Sequence, residues 1–305
     1  MSMKIIVGVD GSEPSFEALR WAVHEARRRD ADISIVSCYS VPAYGGFGGG
    51  VYPSSVDVDT MKEAAAAVVG RAVEAVAEID PKLNVDAFTL LASPVLGVTE
   101  AAVEGDEIVV GATGHSGLVA GLLGSVAAGV THRAHVPVIV VPAKSPVEFG
   151  DSMKKIVVGV DGSPEALLAL DWAYRQAQVS GADLTVVHAW VYPYPVTEAS
   201  PRELRKPMEF DAQNELQASV DSLGPRLTGG PVAVHAKLRD DTPVEALLAE
   251  CADADLLVVG SRGRGGLRSR LLGSVSHTLV QHALCPVVVI RHSGKPSVAN
   301  DGHME

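Results

Sequence analysis

The sequence is poor in aromatic residues, in cysteine and in positive charge, and each shortage narrows what the protein can be. Phe, Tyr and Trp make up only 5% of the 305 residues, so a hydrophobic core must consist mainly of Val, Ala, Leu and Ile. The formal net charge is −12, which argues against nucleic acid and anionic membranes as general partners, because both favour basic surfaces. No apolar run in the sequence approaches the ~18–20 residues that span a bilayer.

The three cysteines are Cys38, Cys251 and Cys285. They are odd in number, widely scattered and without CxxC spacing, which predicts buried free thiols in a reducing compartment and no metal site. The N-terminal stretch MSMKIIVGVDGS passes directly into a strand-like run and lacks the layout of a signal peptide. We therefore predict a cytoplasmic protein.

The chain contains an internal repeat. The stretch KIIVGVDGS at 4–12 returns as KIVVGVDGS at 155–163, and LLGSV at 122–126 returns unchanged at 271–275. Further matches between these points keep the same order, which indicates a tandem duplication of one domain. The repeat predicts a first domain over residues 1–143, a linker rich in Pro, Ser and charge over 144–153, a second domain over 154–292, and a disordered tail over 293–305.

Within each copy, short β-branched runs alternate with longer segments of helical periodicity. Alternating strands and helices predict parallel strands, right-handed crossovers and helices on both faces of the sheet. Each copy is therefore predicted to be a doubly wound α/β domain with five strands and four helices. Trp21 and Trp172 recur at matching helical positions, and we expect both of them in the core.

Candidate binding residues gather where predicted strands end. In an open α/β sheet, ligands bind outside the carboxyl ends of the strands. The first strand of each copy ends at Asp10 or Asp161. Each aspartate is expected to accept hydrogen bonds from a ligand or to cap the next helix.

A glycine-rich loop follows the fourth strand of each copy and leads into the last helix. Unpaired N–H groups at a helix N-terminus favour an anion, and glycines let the backbone approach a phosphate closely. Both loops have the spacing G-x-x-G, then nine residues, then G-S. Neither loop contains the GK[ST] of a Walker A loop or a GxGxxG dinucleotide-binding fingerprint. The alternative is a glycine-rich turn that only connects strand to helix. The glycines and serines are Gly111, Gly114, Gly124 and Ser125 in the first copy, and Gly260, Gly263, Gly273 and Ser274 in the second.

This duplicated pattern resembles the tandem universal stress proteins, in the subclass that binds ATP, and the resemblance covers nearly the whole chain. It implies a flavodoxin-like, five-stranded parallel sheet of order 3-2-1-4-5 in each domain, and domains that pack through their last strands as a pseudo-dimer. It also implies ATP as the ligand, with any Mg²⁺ held by the phosphates, and a homodimer that serves a stress response through a signalling partner the sequence does not identify.

The same resemblance implies roles for individual residues. The aspartates would contact ribose or base, Cys38 and Ala189 would line the adenine pocket, and the glycine loops would hold ribose and phosphates. The full set of candidate ATP-binding residues is Gly8, Val9, Asp10, Cys38, Gly111, Gly114, Gly124, Ser125 and Val126 in the first domain, and Gly159, Val160, Asp161, Ala189, Gly260, Gly263, Arg264, Gly273, Ser274 and Val275 in the second.

The two loops differ in charge. The second contains or adjoins Arg262, Arg264, Arg268 and Arg270, whereas His115 is the one ionisable residue of the first. Arginine side chains beside a polyphosphate are expected to make ligand binding at the second site tighter and more sensitive to salt. The alternative is that the arginines face the other domain or an acidic partner.

No nucleophile with a neighbouring base and orienting group is recognisable in the sequence, so no catalytic residue is assigned. The leading hypothesis is a regulatory protein whose conformation or association depends on ATP. The alternative is a slow ATPase or a nucleotidyl-transfer enzyme, although VDGSEP and VDGSPE do not match the SGGxDS-type loop expected of the latter. A nucleic-acid binder that uses the arginine loop is disfavoured by the acidic composition.

Overall fold

The computed structural model describes residues 3–40, 58–114, 123–143, 145, 149–192, 205–224, 232–264 and 272–291. The predicted tail, part of the predicted linker, His115, Arg268 and Arg270 lie outside the described residues.

Within the described ranges, each copy contains the predicted five strands and four helices. The first copy comprises β1 (Lys4–Gly8), α1 (Glu13–Arg29), β2 (Asp32–Tyr39), α2 (Val58–Ile79), β3 (Val85–Leu91), α3 (Pro94–Glu100), β4 (Glu107–Gly111), α4 (Ser125–Arg133) and β5 (Val138–Val141). The second comprises β6 (Lys155–Gly159), α5 (Pro164–Ser180), β7 (Asp183–Trp190), α6 (Arg205–Asp221), β8 (Val234–Asp240), α7 (Pro243–Glu250), β9 (Leu256–Gly260), α8 (Ser274–His282) and β10 (Val287–Ile290).

The strands form one ten-stranded sheet of order β3-β2-β1-β4-β5-β10-β9-β6-β7-β8. Within each copy the strands are parallel and follow the predicted order 3-2-1-4-5. The copies meet at β5 and β10, which pair antiparallel with Val138 opposite Val289 and Val140 opposite Val287. The predicted packing through the last strands is therefore present, and it joins both domains into a single sheet.

Both faces of the sheet are covered. In β1, Ile5 and Val7 belong to one hydrophobic cluster with α1, α2, α5 and α6, whereas Ile6 belongs to the other, with α3, α4, α7 and α8. This follows from the alternation of side chains along a strand. Because aromatic residues are scarce, aliphatic side chains dominate both clusters.

The strand order creates a crevice in each domain. Strand β1 pairs with β2 on one side and with β4 on the other, so the connections leaving β1 and β4 turn in opposite directions. Strands β6 and β9 repeat this arrangement in the second domain. A ligand site is expected at such a switch in strand order.

Charged side chains are buried where the first helices of the two domains meet. Glu25 of α1 has 0% exposure, and Arg28 Nη2 lies 2.6 Å from its Oε2. Gln176 of α5 donates from Nε2 to the same oxygen at 2.9 Å, and Arg29 contacts the other oxygen of Glu25. Glu25 and Gln176 occupy equivalent positions in the two copies, so their contact joins matching points of the two domains.

A second buried glutamate, Glu107 of β4, extends this cluster. Arg29 Nη1 lies 3.0 Å from Glu107 Oε1, and Trp172 Nε1 donates to that oxygen at 2.9 Å. Glu107 Oε2 is buried without a hydrogen-bond partner among the described residues. Burial raises the pKa of Glu107 to about 7. The negative charge of Glu25 also raises this pKa, whereas the positive charge of Arg29 lowers it. The second copy has Leu256 at the equivalent position.

Two predictions about burial need correction. Trp21 is buried as expected, but Trp172 is only partly buried, because it lies at the domain boundary. Cys251 and Cys285 are buried free thiols, whereas Cys38 is only half-buried, because it stands at the end of β2 beside the crevice.

Candidate functional site

A cavity opens at the carboxyl ends of the strands in each domain. The cavity of the first domain has a volume of about 210 Å³, and that of the second about 580 Å³. All of the predicted binding residues line these two cavities: Gly8, Val9, Asp10, Cys38, Gly111, Gly114, Gly124, Ser125 and Val126 line the first, and Gly159, Val160, Asp161, Ala189, Gly260, Gly263, Arg264, Gly273, Ser274 and Val275 line the second.

The aspartate at the rim of each cavity organises the loop around it. Asp161 Oδ1 accepts hydrogen bonds from the Ser163 N–H at 3.0 Å and the Ser163 hydroxyl at 2.6 Å. Its Oδ2 accepts from the Arg264 N–H at 3.0 Å, which ties the first loop to the glycine loop. Asp10 accepts the matching bonds from Ser12, from the N–H at 3.0 Å and the hydroxyl at 2.5 Å.

The aspartates do not cap the following helices. The N-cap residues are Ser12 for α1 and Ser163 for α5, and the Ser163 side chain accepts from the Ala166 N–H. The capping alternative is therefore wrong. The carboxylates face the cavity instead, each with its acceptor atoms partly engaged by the loop.

The second glycine of each loop packs closely against the neighbouring aspartate. A Cβ added to Gly114 would lie 2.6 Å from Asp10 Oδ2, and one added to Gly263 would collide with Asp161 Oδ2. The described glycines of the spaced pattern do not have positive φ angles. Close packing rather than left-handed backbone therefore explains why glycine is present at these positions.

The last glycine of each loop closes it back onto the sheet. The Gly124 N–H donates to the Ala112 carbonyl at 2.7 Å, and the Gly273 N–H donates to the Ser261 carbonyl at 2.8 Å. These two N–H groups are thus already used within the protein. The groups available to an anion are those of the first helical turn, which begins at the next residue.

Both last helices begin without a side-chain cap among the described residues. Gly124 and Gly273 are the N-cap residues of α4 and α8, and glycine has no side chain to accept a hydrogen bond. The first N–H groups of a helix have no partner within it, and they carry a partial positive charge. This geometry favours an anion beside Ser125 and Ser274.

Glycines with left-handed backbone occur elsewhere at the rim. Gly11 has a φ of 88° and Gly162 a φ of 76°, and each follows the cavity aspartate. Residues other than glycine rarely adopt this backbone conformation. It turns the chain so that the next serine reaches back to the aspartate. The repeated DGS sequence is a signal that could have identified both glycines as site residues.

The apolar wall of each cavity was missed by sequence reasoning. Pro94 and Val98 of α3 line the first cavity, and Pro243 and Leu247 of α7 line the second. A Cβ on Gly8 would lie 3.0 Å from Val98 Cγ2, so the helix packs directly on the strand end. The Pro-Val pair that opens both helices at matching positions was an available signal.

One side-chain exchange distinguishes the two apolar walls. Cys38 in the first domain faces Gly97, where an added Cβ would collide with its sulfur. The equivalent residues of the second domain are Ala189 and Ala246. Burial raises the pKa of the Cys38 thiol, so this cavity is lined by a protonated thiol near neutral pH.

The arginines of the second loop have different surroundings. Arg264 Nη1 lies 2.8 Å from Glu215 Oε2 of α6, and the arginine side chain is 60% exposed. His188 Nε2 lies 3.5 Å from the same oxygen, and its Nδ1 lies 2.8 Å from the Val160 carbonyl oxygen. Arg262 lines the cavity, and its buried Nε has no hydrogen-bond partner among the described residues.

Within the described ranges, His, Cys, Asp and Glu form no group of three or more that could hold a metal ion. None of the helices described there combines the length and the apolar character needed to cross a bilayer.

Comparison with known proteins gives consistent matches over both halves. The model of the universal stress protein family matches residues 1–142 and 153–291. A universal stress protein of Mycobacterium tuberculosis H37Rv is 34% identical over 297 residues, covering 95% of this chain and 97% of that protein. One from Mycolicibacterium smegmatis is 32% identical over 295 residues, covering 94% and 96%.

Among solved structures, a universal stress protein from Archaeoglobus fulgidus has a TM-score of 0.66 at 22% identity, covering 95% of this chain and 96% of that chain. At this level of identity the match shows a shared fold.

Proposed function

The chain belongs to the universal stress protein family, and from this premise we propose that each of its two domains binds ATP. Nucleotide occupancy would set the conformation of the chain or its association with other molecules. The observation that carries the proposal is the pair of crevices, each of which combines apolar walls, a rim carboxylate and a helix N-terminus that no described side chain caps.

The layout of each cavity suits the three parts of a nucleotide. Apolar side chains, Val36, Val98 and Val110 in the first domain, suit a base. The carboxylate of Asp10 or Asp161 offers acceptors for ribose hydroxyls. The helix N-termini at Ser125 and Ser274 offer donors for phosphates. Mg²⁺, where present, would be held by the phosphates themselves.

The position of the loops supports a regulatory role. The helices α4 and α8 pack beside β5 and β10, the strands that join the domains. Binding at either loop would therefore act close to the domain junction. We propose a cytoplasmic protein that forms a homodimer and conveys nucleotide occupancy to a signalling partner.

Native mass spectrometry of freshly purified protein tests the proposed function directly. We expect chains carrying one or two ATP molecules, because purification retains tightly bound nucleotide. The same spectrum reports the number of chains per assembly. Protein that neither retains ATP nor gains it after incubation with ATP and Mg²⁺ would overturn the proposal.

The ion pair between Glu215 and Arg264 allows a test of whether Arg264 contributes to ATP binding at the second site. Glu215→Gln is expected to release Arg264 toward the phosphates and to tighten ATP binding by up to about five-fold, since exposed ion pairs contribute ~0.2–1 kcal/mol. The dependence of affinity on salt should become steeper, because one more cation then faces the ligand. Calorimetric titration at low and high salt measures both effects in a chain whose first site carries Gly114→Ala.

Glu209→Gln is the matched control, because it removes the same charge from an exposed position on the same helix. If the two variants show equal affinities and parallel salt slopes, Arg264 does not serve the nucleotide.

A further inference from the structure

The residues around the two cavities differ in charge. Among the described residues that line the first cavity, Asp10 is the only charged one. The second cavity is lined by the equivalent Asp161 and also by two arginines, Arg262 and Arg264. Each cavity thus presents one carboxylate, and the second cavity adds two guanidinium groups to it.

Arg262 stands where the phosphates of a nucleotide would bind. A Cβ added to Gly273, the N-cap residue of α8, would lie 3.4 Å from Arg262 Cα, so this arginine is next to the start of the helix. The equivalent residue of the first domain is Thr113, and a Cβ added to Gly124 would lie 3.3 Å from Thr113 Cα. The backbone is therefore alike at the two helix starts, whereas the side chain beside each start differs.

The two arginines of the second cavity differ in how their donors are used. Arg262 Nε is buried and has no hydrogen-bond partner among the described residues. A buried donor without an acceptor is costly, so a ligand oxygen that accepts a hydrogen bond from it would be stabilised. Arg264 Nη1 instead lies 2.8 Å from Glu215 Oε2. Arg262 is thus the arginine with a donor that still lacks an acceptor in the part of the chain that the structure describes.

The cavities also differ in size. The first has a volume of about 210 Å³ and the second one of about 580 Å³. Pockets for small molecules commonly measure ~300–1,000 Å³, so the second cavity has more room for a long phosphate chain. Its larger volume and its arginines favour the same kind of ligand, one with a long and highly charged tail.

We propose that the second site distinguishes adenine nucleotides by their number of phosphates, in the order ATP over ADP over AMP, and that Arg262 sets this order. The first site, which has Thr113 at the equivalent position, binds the three nucleotides with similar affinity. The inference rests on the proposed function, because it concerns the same two sites. The first domain then responds to the total adenine nucleotide and the second domain to ATP.

The physical cause is the charge that each further phosphate brings beside the arginine. Hydrogen bonds between arginine and phosphate are charge-assisted and frequently bidentate. A threonine hydroxyl can donate one hydrogen bond but carries no charge, so its contribution depends little on the length of the phosphate chain. The apolar walls and the rim aspartates face the base and the ribose, which AMP and ATP share.

Calorimetric titration with ATP, ADP and AMP compares the two sites one at a time. The full-length chain with Gly114→Ala reports the second site, and the chain with Gly263→Ala reports the first. Mg²⁺ is left out so that the phosphates keep their full charge. We expect the second site to bind ATP at least about ten-fold more tightly than AMP, and the first site to bind the two nucleotides within about three-fold of each other.

Exchanging Arg262 and Thr113 between the domains tests the role of the arginine. In the chain with Gly114→Ala, Arg262→Thr should lower the ratio of ATP to AMP affinity by about ten-fold and retain AMP binding, whereas Arg262→Lys should keep part of the preference. In the chain with Gly263→Ala, Thr113→Arg should raise the same ratio at the first site. Arg175→Thr is the matched control, because it removes an exposed arginine of α5 that does not line the cavity, and it should leave the ratio unchanged.

The outcomes separate this inference from the proposed function. Equal affinities for ATP and AMP at the second site, an ATP preference that survives Arg262→Thr, or an equally strong preference at the first site would overturn the inference alone. A chain that binds none of the three nucleotides at either site would overturn the proposed function, and the inference with it.

Discussion

Gly114→Ala and Gly263→Ala are each expected to lower the number of ATP molecules bound per chain from two to one, and the double variant should bind none measurably. An added Cβ at Gly114 would lie 2.6 Å from Asp10 Oδ2, and one at Gly263 would collide with Asp161. Asp161 is held by three hydrogen bonds, from Ser163 and from the Arg264 N–H. The loop and the aspartate must therefore separate, which removes the paired surface proposed for ribose and phosphate.

The affinity at the altered site should fall by roughly 10- to 150-fold, since a displaced charged hydrogen-bond acceptor costs ~1.5–3 kcal/mol. Calorimetric titration measures stoichiometry and affinity, and circular dichroism checks the fold. Gly70→Ala serves as the control, because an added Cβ there meets no atom within 4 Å. Two ATP molecules of unchanged affinity in the double variant would exclude these loops as the binding sites.

Glu107→Gln is expected to make the protein more stable above pH 7 and to remove part of its pH dependence. The pKa of Glu107 in the folded chain is about 7, against an ordinary value of 4.5. Between these values the folded state holds a proton that the unfolded state has released, so stability falls as the pH rises through this window. Above pH 7 both states are ionised and the loss is complete.

The physical cause is the placement of two glutamates and two arginines in one buried cluster. Glu25 takes contacts from both Arg28 and Arg29, so Arg29 is shared with Glu107. Burial makes the ionisation of Glu107 costly, and its Oε2 has no hydrogen-bond partner in the part of the chain that the structure describes. Glutamine keeps an acceptor for the Trp172 N–H and stays neutral at every pH.

Urea unfolding of parent and variant at pH 5, 6, 7 and 8 measures the effect. The unfolding free energy of the variant minus that of the parent should increase by about 2–3 kcal/mol from pH 5 to pH 8. Glu104→Gln, in an exposed turn before β4, is the control and should leave the profile unchanged. Parallel profiles for Glu107→Gln and the parent would show that Glu107 does not titrate in this range.

Much of the fold was open to sequence reasoning, because it rests on local patterns. The repeat and the alternation of strands and helices predicted two doubly wound domains. The strand order and the packing through the last strands came with the family resemblance, and β5 and β10 pair as expected. The glycine loops were identified by their spacing, and their residues do line the two cavities.

The amino-acid sequence thus predicts the helices and strands and the positions of the loops between them, since hydrophobic periodicity and glycine spacing are properties of neighbouring residues. The contacts between distant side chains become visible in the folded chain. Arg264 pairs with Glu215, which lies 49 positions earlier in the sequence, and Glu107 shares Arg29 with Glu25 at the domain junction. Such contacts depend on how helices cross the sheet and on strand register, which periodicity along one segment does not specify.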